Sequence, residues 1–321
     1  MSAAPSAVAS FDIRAFARRV RAGDQIAYLL TLICAASIFL VTCLLVYELW
    51  ISSGLARHKF GWSFITTQTW DPVKEDFGAL PFMFGTVVTS IVALLISVPV
   101  GIGAAIFLSE MALPRISDTL TFLIELLAAV PSVIYGLLGI FLLVPVLESA
   151  VVPALKGVLG FLPLFSGPFY GVSLFSAGVV LSLMIVPFII SVSREVLLSV
   201  PVEQREAALS LGSTRWETTW KVVVPYARRG IYGSIFLALA RALGETMAVT
   251  MVIGNTPKLQ SSLLAPGDSI ASVIANQFTE ATSDLYIHAL IELGLVLFAL
   301  TIIINGLARL LILTTGARIE K

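Results

Sequence analysis

The sequence predicts an all-α, polytopic membrane protein with six transmembrane helices, and three observations lead there. Hydrophobic residues make up 58% of the chain and charged residues 12%, about half the charged share of soluble globular chains. Six apolar stretches are each long enough to cross a hydrocarbon core of about 30 Å, which takes about 20 helical residues. Lysine and arginine fall unevenly on the connections between those stretches, as they do in multi-pass proteins.

Residues 1–25 are polar and form an N-terminal segment ahead of the first span. Within them the Arg-rich stretch Phe11–Arg21 admits two readings, an amphipathic helix on the inner membrane surface or a positive topology anchor. The apolar run at 26–50 is longer than a signal-peptide core of roughly 7–15 residues, so it reads as a retained first transmembrane helix. It holds both cysteines, Cys34 and Cys43, which face opposite sides of a helix at that spacing and read as packing residues. The remaining spans are expected at 82–108, 119–146, 174–197, 231–255 and 286–313. Pro99, Pro131, Pro145 and Pro187 lie inside three of them and predict kinked helices packed closely against neighbours.

With the N-terminus inside, fourteen Lys and Arg fall on inner segments and five on outer ones, with Arg241 left within a span. That asymmetry puts both termini in the cytoplasm, together with a tail at 314–321. The outer connections, near 51–81, 147–173 and 256–285, are too short for an independent domain of about 50 residues. Residues 51–77 carry no legible role. The formal net charge is zero and no basic stripe exists, which excludes a nucleic-acid partner and leaves the lipid bilayer as the chain's surroundings. His58 and His288 have no partners at metal-ligand spacing, so no metal site is expected.

The longest cytoplasmic connection runs from Pro201 to Gly230. Val202–Leu211 combines good helix formers, Gly212 is a stop signal, and Ser213 or Thr214 can cap a second helix with Glu217 near its third position. Pro225 is expected to end that helix. The product is a stiff hairpin carrying Leu209, Leu211, Trp216 and Trp220, suited either to a protein partner or to resting on lipid.

Charge inside the membrane is costly and faces the bundle interior. Arg241 lies ten residues into the fifth span, about 15 Å at helical rise and so near the midplane. Glu245 follows at i+4, on the same face of a continuous helix, where it would partly neutralise the arginine. One reading is an ion pair that joins helices. The other is an anion site, since a guanidinium presents a planar fork of donors that fits phosphate oxygens. Midplane helix interfaces are also where transporters place substrates. Glu125 and Glu292 lie near span ends and can reach water, and Val130–Val133 can either kink the third helix or open carbonyls to a cavity. Glu125, Ser132 and Tyr135 are candidate cavity-lining residues.

Two resemblances add to this. Glu206-Ala207-Ala208, then Gly212, then Val222-x-Val224-Pro225 resembles the EAA loop of permeases in ATP-binding-cassette importers, with valine for the usual isoleucine and leucine. In that family the loop is the coupling element that sits in a groove of a separate ATPase subunit. The resemblance implies a type I importer permease fold with a core at about 80–310, a coupling hairpin at 201–225 and the first span as an addition. The fifth-span stretch Arg241–Asn255 is similar to the C-type permease subunits of phosphate-specific (Pst) importers, as are Gly78–Ser90, Glu125–Gly139 and Ser272–Ala281.

That second resemblance implies phosphate import across a bacterial inner membrane. It implies a heterodimer with a paralogous A-type permease, an ATP-binding-cassette ATPase dimer and an extracytoplasmic phosphate-binding protein. Arg241, Glu245 and Thr246 would then line the translocation path, with Glu245 neutralising Arg241 when no anion is bound. No Gly-x-x-x-x-Gly-Lys-[Ser/Thr] loop or catalytic set is present, so the chain is expected to hydrolyse nothing. ATP and Mg would belong to the partner ATPase. Rival expectations are a permease for sulfate, molybdate or phosphonate, an ATPase-independent secondary transporter, and a membrane sensor.

Overall fold

The computed structural model describes residues 24–316, so Phe11–Arg21 and the last five residues of the tail lie outside the described residues. The chain divides into two compact units, the first ending at Ile51 and the second beginning at Ser52. In the first, helix α1 (Asp24–Ser52) is apolar along its length, with Cys34 and Cys43 both exposed and unbonded to one another.

The second unit opens with two short helices, α2 (Gly54–Phe60) and α3 (Ser63–Thr66), and a two-stranded antiparallel hairpin. In that hairpin β1 (Trp70–Asp71) pairs with β2 (Asp76–Phe77) in the register Trp70 to Phe77. Trp70 and Phe77 pack with Phe82 and Tyr286, and the Trp70 indole and the Tyr286 hydroxyl both donate to Gln277 Oε1, at 2.8 and 2.7 Å. Buried aromatic rings with satisfied polar tips make residues 52–79 an ordered cap on the end of the bundle opposite the 201–225 hairpin.

Helix α4 (Leu80–Met111) and helix α7 (Leu174–Leu198) form the centre. Along α4 the residues Gly85, Thr89, Ala93, Ser97, Gly101 and Ala105 recur every fourth position and all are buried. A stripe of small residues lets backbones approach closely where lipid removes the hydrophobic drive between helices. The approach is tight: a Cβ on Gly101 would stand 2.7 Å from Ile189 Cγ2, and one on Gly178 would stand 2.5 Å from Val92 Cγ1. On this stripe Thr89 satisfies its hydroxyl along the helix, donating to the Gly85 carbonyl at 2.8 Å.

The third span departs from expectation. Helix α5 (Pro114–Ala128) stops, and α6 (Ser132–Leu159) starts afresh, so the crossing helix is shifted well beyond 119–146. Pro131 has no N–H and disfavours the helical conformation in Val130, which accounts for the stop. Pro145 and Pro153 do not stop α6. Each follows a π-helical turn, Gly139–Leu143 and Leu147–Val151 respectively. An i→i+5 turn re-registers the ladder and removes the clash between the proline ring and the preceding carbonyl.

The same device corrects the reading of Pro225. After the loop come α8 (Val202–Ser210) and α9 (Arg215–Thr218), and a π turn over Thr219–Val223 carries α9 straight into α10 (Val224–Leu243). Pro225 therefore sits in the first turn of α10 and ends nothing. The hairpin's second limb and the fifth span are one rod. The Ser193 and Ser234 hydroxyls, 2.8 Å apart and buried, join that rod to α7. Short helix α11 (Met247–Val252), α12 (Ile270–Gln277) and the long α13 (Asp284–Gly316) complete the fold.

Candidate translocation site and coupling hairpin

The predicted continuous fifth span is interrupted within Leu243–Met247. Helix α10 ends at Leu243, Gly244 adopts φ −96° and ψ 0°, and α11 begins at Met247. The interruption satisfies its own polar groups. Glu245 Oε1 accepts from the Ala248 amide at 3.2 Å, and the Thr246 carbonyl accepts from both the amide and the hydroxyl of Thr250, at 2.9 and 2.7 Å. Glu245 thus caps α11, which uses a carboxylate where orphan amides point. It is not the helix-face partner of Arg241 that i+4 spacing suggested, and among the described residues no ion pair joins the two.

Arg241 lies one turn before the interruption, exposed on the surface of this chain. Its guanidinium carbon stands 5.7 Å from the centroid of the Phe188 ring on α7, a distance at which the cation is drawn to the ring face. Tyr135, in the first turn of α6, is within electrostatic reach of it. The Tyr135 hydroxyl donates to the Leu127 carbonyl at 2.8 Å, a second bond to an oxygen that also accepts from the Val130 amide at 3.1 Å, and so bridges the gap in the third span.

The two interrupted spans meet closely. A Cβ on Gly136 would stand 2.5 Å from Met251 Sδ and 3.2 Å from Ala248 Cα, so α6 and α11 cross in near backbone contact. Of the residues singled out in the sequence, Arg241, Tyr135, Glu245 and Thr246 gather at these interruptions. Ser132 begins α6 half-buried, and Glu125 stays exposed on α5 without an ion pair among the described residues. Phe188 and Gly136 were not anticipated. Only the small residue in Tyr135-Gly136-Leu137-Leu138-Gly139 hinted at a close crossing.

At the other end, Gly212 ends α8 with φ +90°, a left-handed conformation that glycine adopts freely. Thr214 accepts from the Glu217 amide at 3.2 Å while Glu217 Oε2 accepts from the Thr214 amide at 3.0 Å, a complete capping box. The hydrogen bond from the Thr214 backbone holds the Glu217 carboxyl below its ordinary range, with help from Lys221 at 3.3 Å. Glu206 and Ala207 are exposed and Ala208 is buried. Leu211, Trp216 and Trp220 are also exposed, at 87%, 56% and 46%, and the two indoles pack edge to face with centroids 5.5 Å apart. The hairpin offers an ordered apolar outer surface on a limb rooted in a transmembrane rod.

Residues 97–313 match the family described as the binding-protein-dependent transport system inner membrane component. The chain is 44% identical over 305 residues to the phosphate transport system permease protein PstC of Mesorhizobium japonicum, covering 94% of this chain and 93% of that one. It is 47% identical over 291 residues to the protein of the same name from Pasteurella multocida, covering 89% of each. A probable PstC of Methanocaldococcus jannaschii is 35% identical over 283 residues, covering 86% of this chain and 90% of that one. Among solved structures, the chain is similar to a bacterial alginate ABC transporter in complex with its alginate pentasaccharide-bound periplasmic protein. The TM-score is 0.58 at 16% identity, covering 90% of this chain and 96% of that one, which speaks for the fold.

Proposed function

This chain belongs to the family of binding-protein-dependent transport system inner membrane components, and from that premise we propose that it carries inorganic phosphate across the inner membrane by alternating access, as the C-type permease of an ATP-driven importer. The observation that carries the cargo is near-full-length likeness to phosphate transport permeases on several branches. Arg241 beside the interrupted fifth span supplies chemistry to match: a guanidinium can hold a phosphate bidentately within a low-dielectric passage. The amide-capping role of Glu245 leaves that guanidinium open to an anion, and Thr246 and Tyr135 flank it.

The exposure of Arg241 also supports a second permease. A guanidinium facing hydrocarbon costs at least about 2.5 kcal/mol, so its face must be covered by protein or by a water-filled path. We assign that cover to a paralogous A-type subunit, which makes the path an interface between two chains. Lysine and arginine asymmetry supports both termini and the 201–225 hairpin in the cytoplasm. The exposed hairpin surface, with Glu206, Ala207, Gly212 and the two tryptophans, is assigned to an ATPase dimer that holds ATP and Mg. The cap at 52–79 would then face the binding protein.

The test is uptake of labelled phosphate by the reconstituted importer with its binding protein. Uptake that needs ATP and resists excess sulfate, molybdate and phosphonate is expected. Uptake driven by an ion gradient without ATP, or displaced equally by sulfate, would refute the assignment.

A further inference from the structure

One cation at the base of the bundle is tied into three elements at once. Arg205, on α8, folds back towards the membrane helices instead of facing out with Glu206. Its Nε donates to Glu110 Oε2 at 3.2 Å and its Nη2 to Glu110 Oε1 at 2.9 Å, a bidentate pair. Nη2 also donates to the Leu197 carbonyl at 2.7 Å, and Nη1 donates to the Val200 carbonyl. Glu110 lies in the π-helical turn that ends α4, and Leu197 and Val200 flank the end of α7. The side chains of Arg205 and Glu110 are only 19% and 10% exposed, so the pair is shielded from water and salt.

The neighbours continue the lashing. Ser117 at the start of α5 donates to the Leu108 carbonyl of α4 at 2.8 Å, and Arg194 of α7 donates to Ser117 Oγ at 3.3 Å. Without Arg205, α8 would be held to α7 chiefly by the short Ser199–Pro201 link, since Ala208 is its one buried apolar residue. A push on such a helix would bend the link. With Arg205 in place, one planar group caps the carbonyls of α7 and grips the acid of α4, so the hairpin cannot tilt without breaking several charge-assisted hydrogen bonds.

We propose that Arg205 is the positioning residue that locks the coupling hairpin to α4 and α7 through Glu110, so that a displacement of the hairpin reaches those spans undiminished. The inference rests on the hairpin being the ATPase seat. Glu110, 95 residues away in sequence, is then part of the coupling machinery although it touches neither cargo nor ATPase.

The complete importer, reconstituted with its binding protein, tests this by reading phosphate uptake and ATP hydrolysis on the same vesicles. Glu110→Gln keeps the shape and removes the charge. Uptake per ATP should fall about tenfold while hydrolysis stays within about twofold of wild type. Glu110→Asp should recover most of the ratio, and Arg205→Lys, which loses the fork, should behave like Glu110→Gln. An assembled Glu110→Gln complex with the wild-type ratio, or one in which uptake and hydrolysis fall together, would overturn the proposal. Failure of the cargo assignment reads differently, because the wild-type complex would then hydrolyse ATP without taking up phosphate. In that event the clamp is judged by stimulation of hydrolysis by the binding protein. Glu110→Gln should abolish that stimulation, and its survival would sink the clamp.

Discussion

The continuous pair α4–α7 and the interrupted spans α5–α6 and α10–α11 use glycine and proline to opposite ends. In α7, 67% of the most apolar stretch is buried within the chain, against 17% in α6. Pro99 and Pro187 sit inside unbroken helices, and Gly101 and Gly178 of that pair each receive a branched side chain of the facing helix, Ile189 and Val92. In the interrupted spans Pro131 and Gly244 mark the helix ends, and Arg241 is exposed at the second break while Tyr135, Glu245 and Thr246 stay half-buried. A rigid pair surrounded by lipid and protein, beside two spans whose breaks expose a cation, separates the scaffold from the path. Transport needs both, because a displacement must be carried without loss and then spent where helices can part.

The sharpest way to break that comparison is to add one methyl group to each region. A Cβ at Gly85 would stand 1.9 Å from the Asp268 carbonyl oxygen, and backbone cannot step aside. Gly85→Ala should cost about 3 kcal/mol and remove most assembled complex from the membrane, read as yield and Tm. At Gly136 the methyl group meets Met251 Sδ in a flexible side chain at 2.5 Å, and the nearest backbone atom, Ala248 Cα, only at 3.2 Å. Gly136→Ala should cost less than about 1.5 kcal/mol yet slow uptake, and equal losses of yield in the two variants would erase the distinction.

Hairpin and scaffold can be separated next. Gly212→Val places a β-branched residue at φ +90°, which should cost about 1–2 kcal/mol locally and lower co-purification of the ATPase while the spans stay folded. Asp268 tests the scaffold's outer edge. It is 2% exposed, and burial pushes its carboxyl up to about 6, against the pull of bonds from Ser272 and Ser269. The folded state therefore holds this proton more tightly than the unfolded one, so the group weakens the fold as pH rises from about 4 to about 6. Thermal unfolding of the complex should show that slope, and Asp268→Asn should flatten it. The smallest effect is expected at Thr214, where loss of the cap in Thr214→Ala should cost about 1 kcal/mol, confined to the hairpin and visible as faster amide exchange there.

The hairpin was the most legible part of the molecule. Gly212, Thr214 and Glu217 act through neighbours a few residues away, so their roles can be read from spacing alone. Pro225 was misread because the π turn that absorbs it leaves no mark in composition. The helical hydropathy of the spans was equally plain, but the breaks were not. Leu243-Gly244-Glu245-Thr246 continues a helical pattern, and it gives way where Glu245 turns to cap α11, whose Ala248 and Met251 pack against Gly136 on a distant span. Arg241 stood out as a charge in an apolar run. Its true neighbours, Phe188 and Tyr135, come from α7 and α6, and no local rule brings them together.

On this reading Arg241, left open by that break, receives the anion. Reconstituted importers carrying Arg241→Ala and Arg241→Lys, matched for assembly and ATPase content, should be compared with wild type for uptake of labelled phosphate. Loss of two charge-assisted hydrogen bonds predicts uptake about 100-fold slower for Arg241→Ala, with Arg241→Lys in between and basal ATP hydrolysis retained. An assembled Arg241→Ala importer that takes up phosphate at the wild-type rate would show that the anion is received elsewhere.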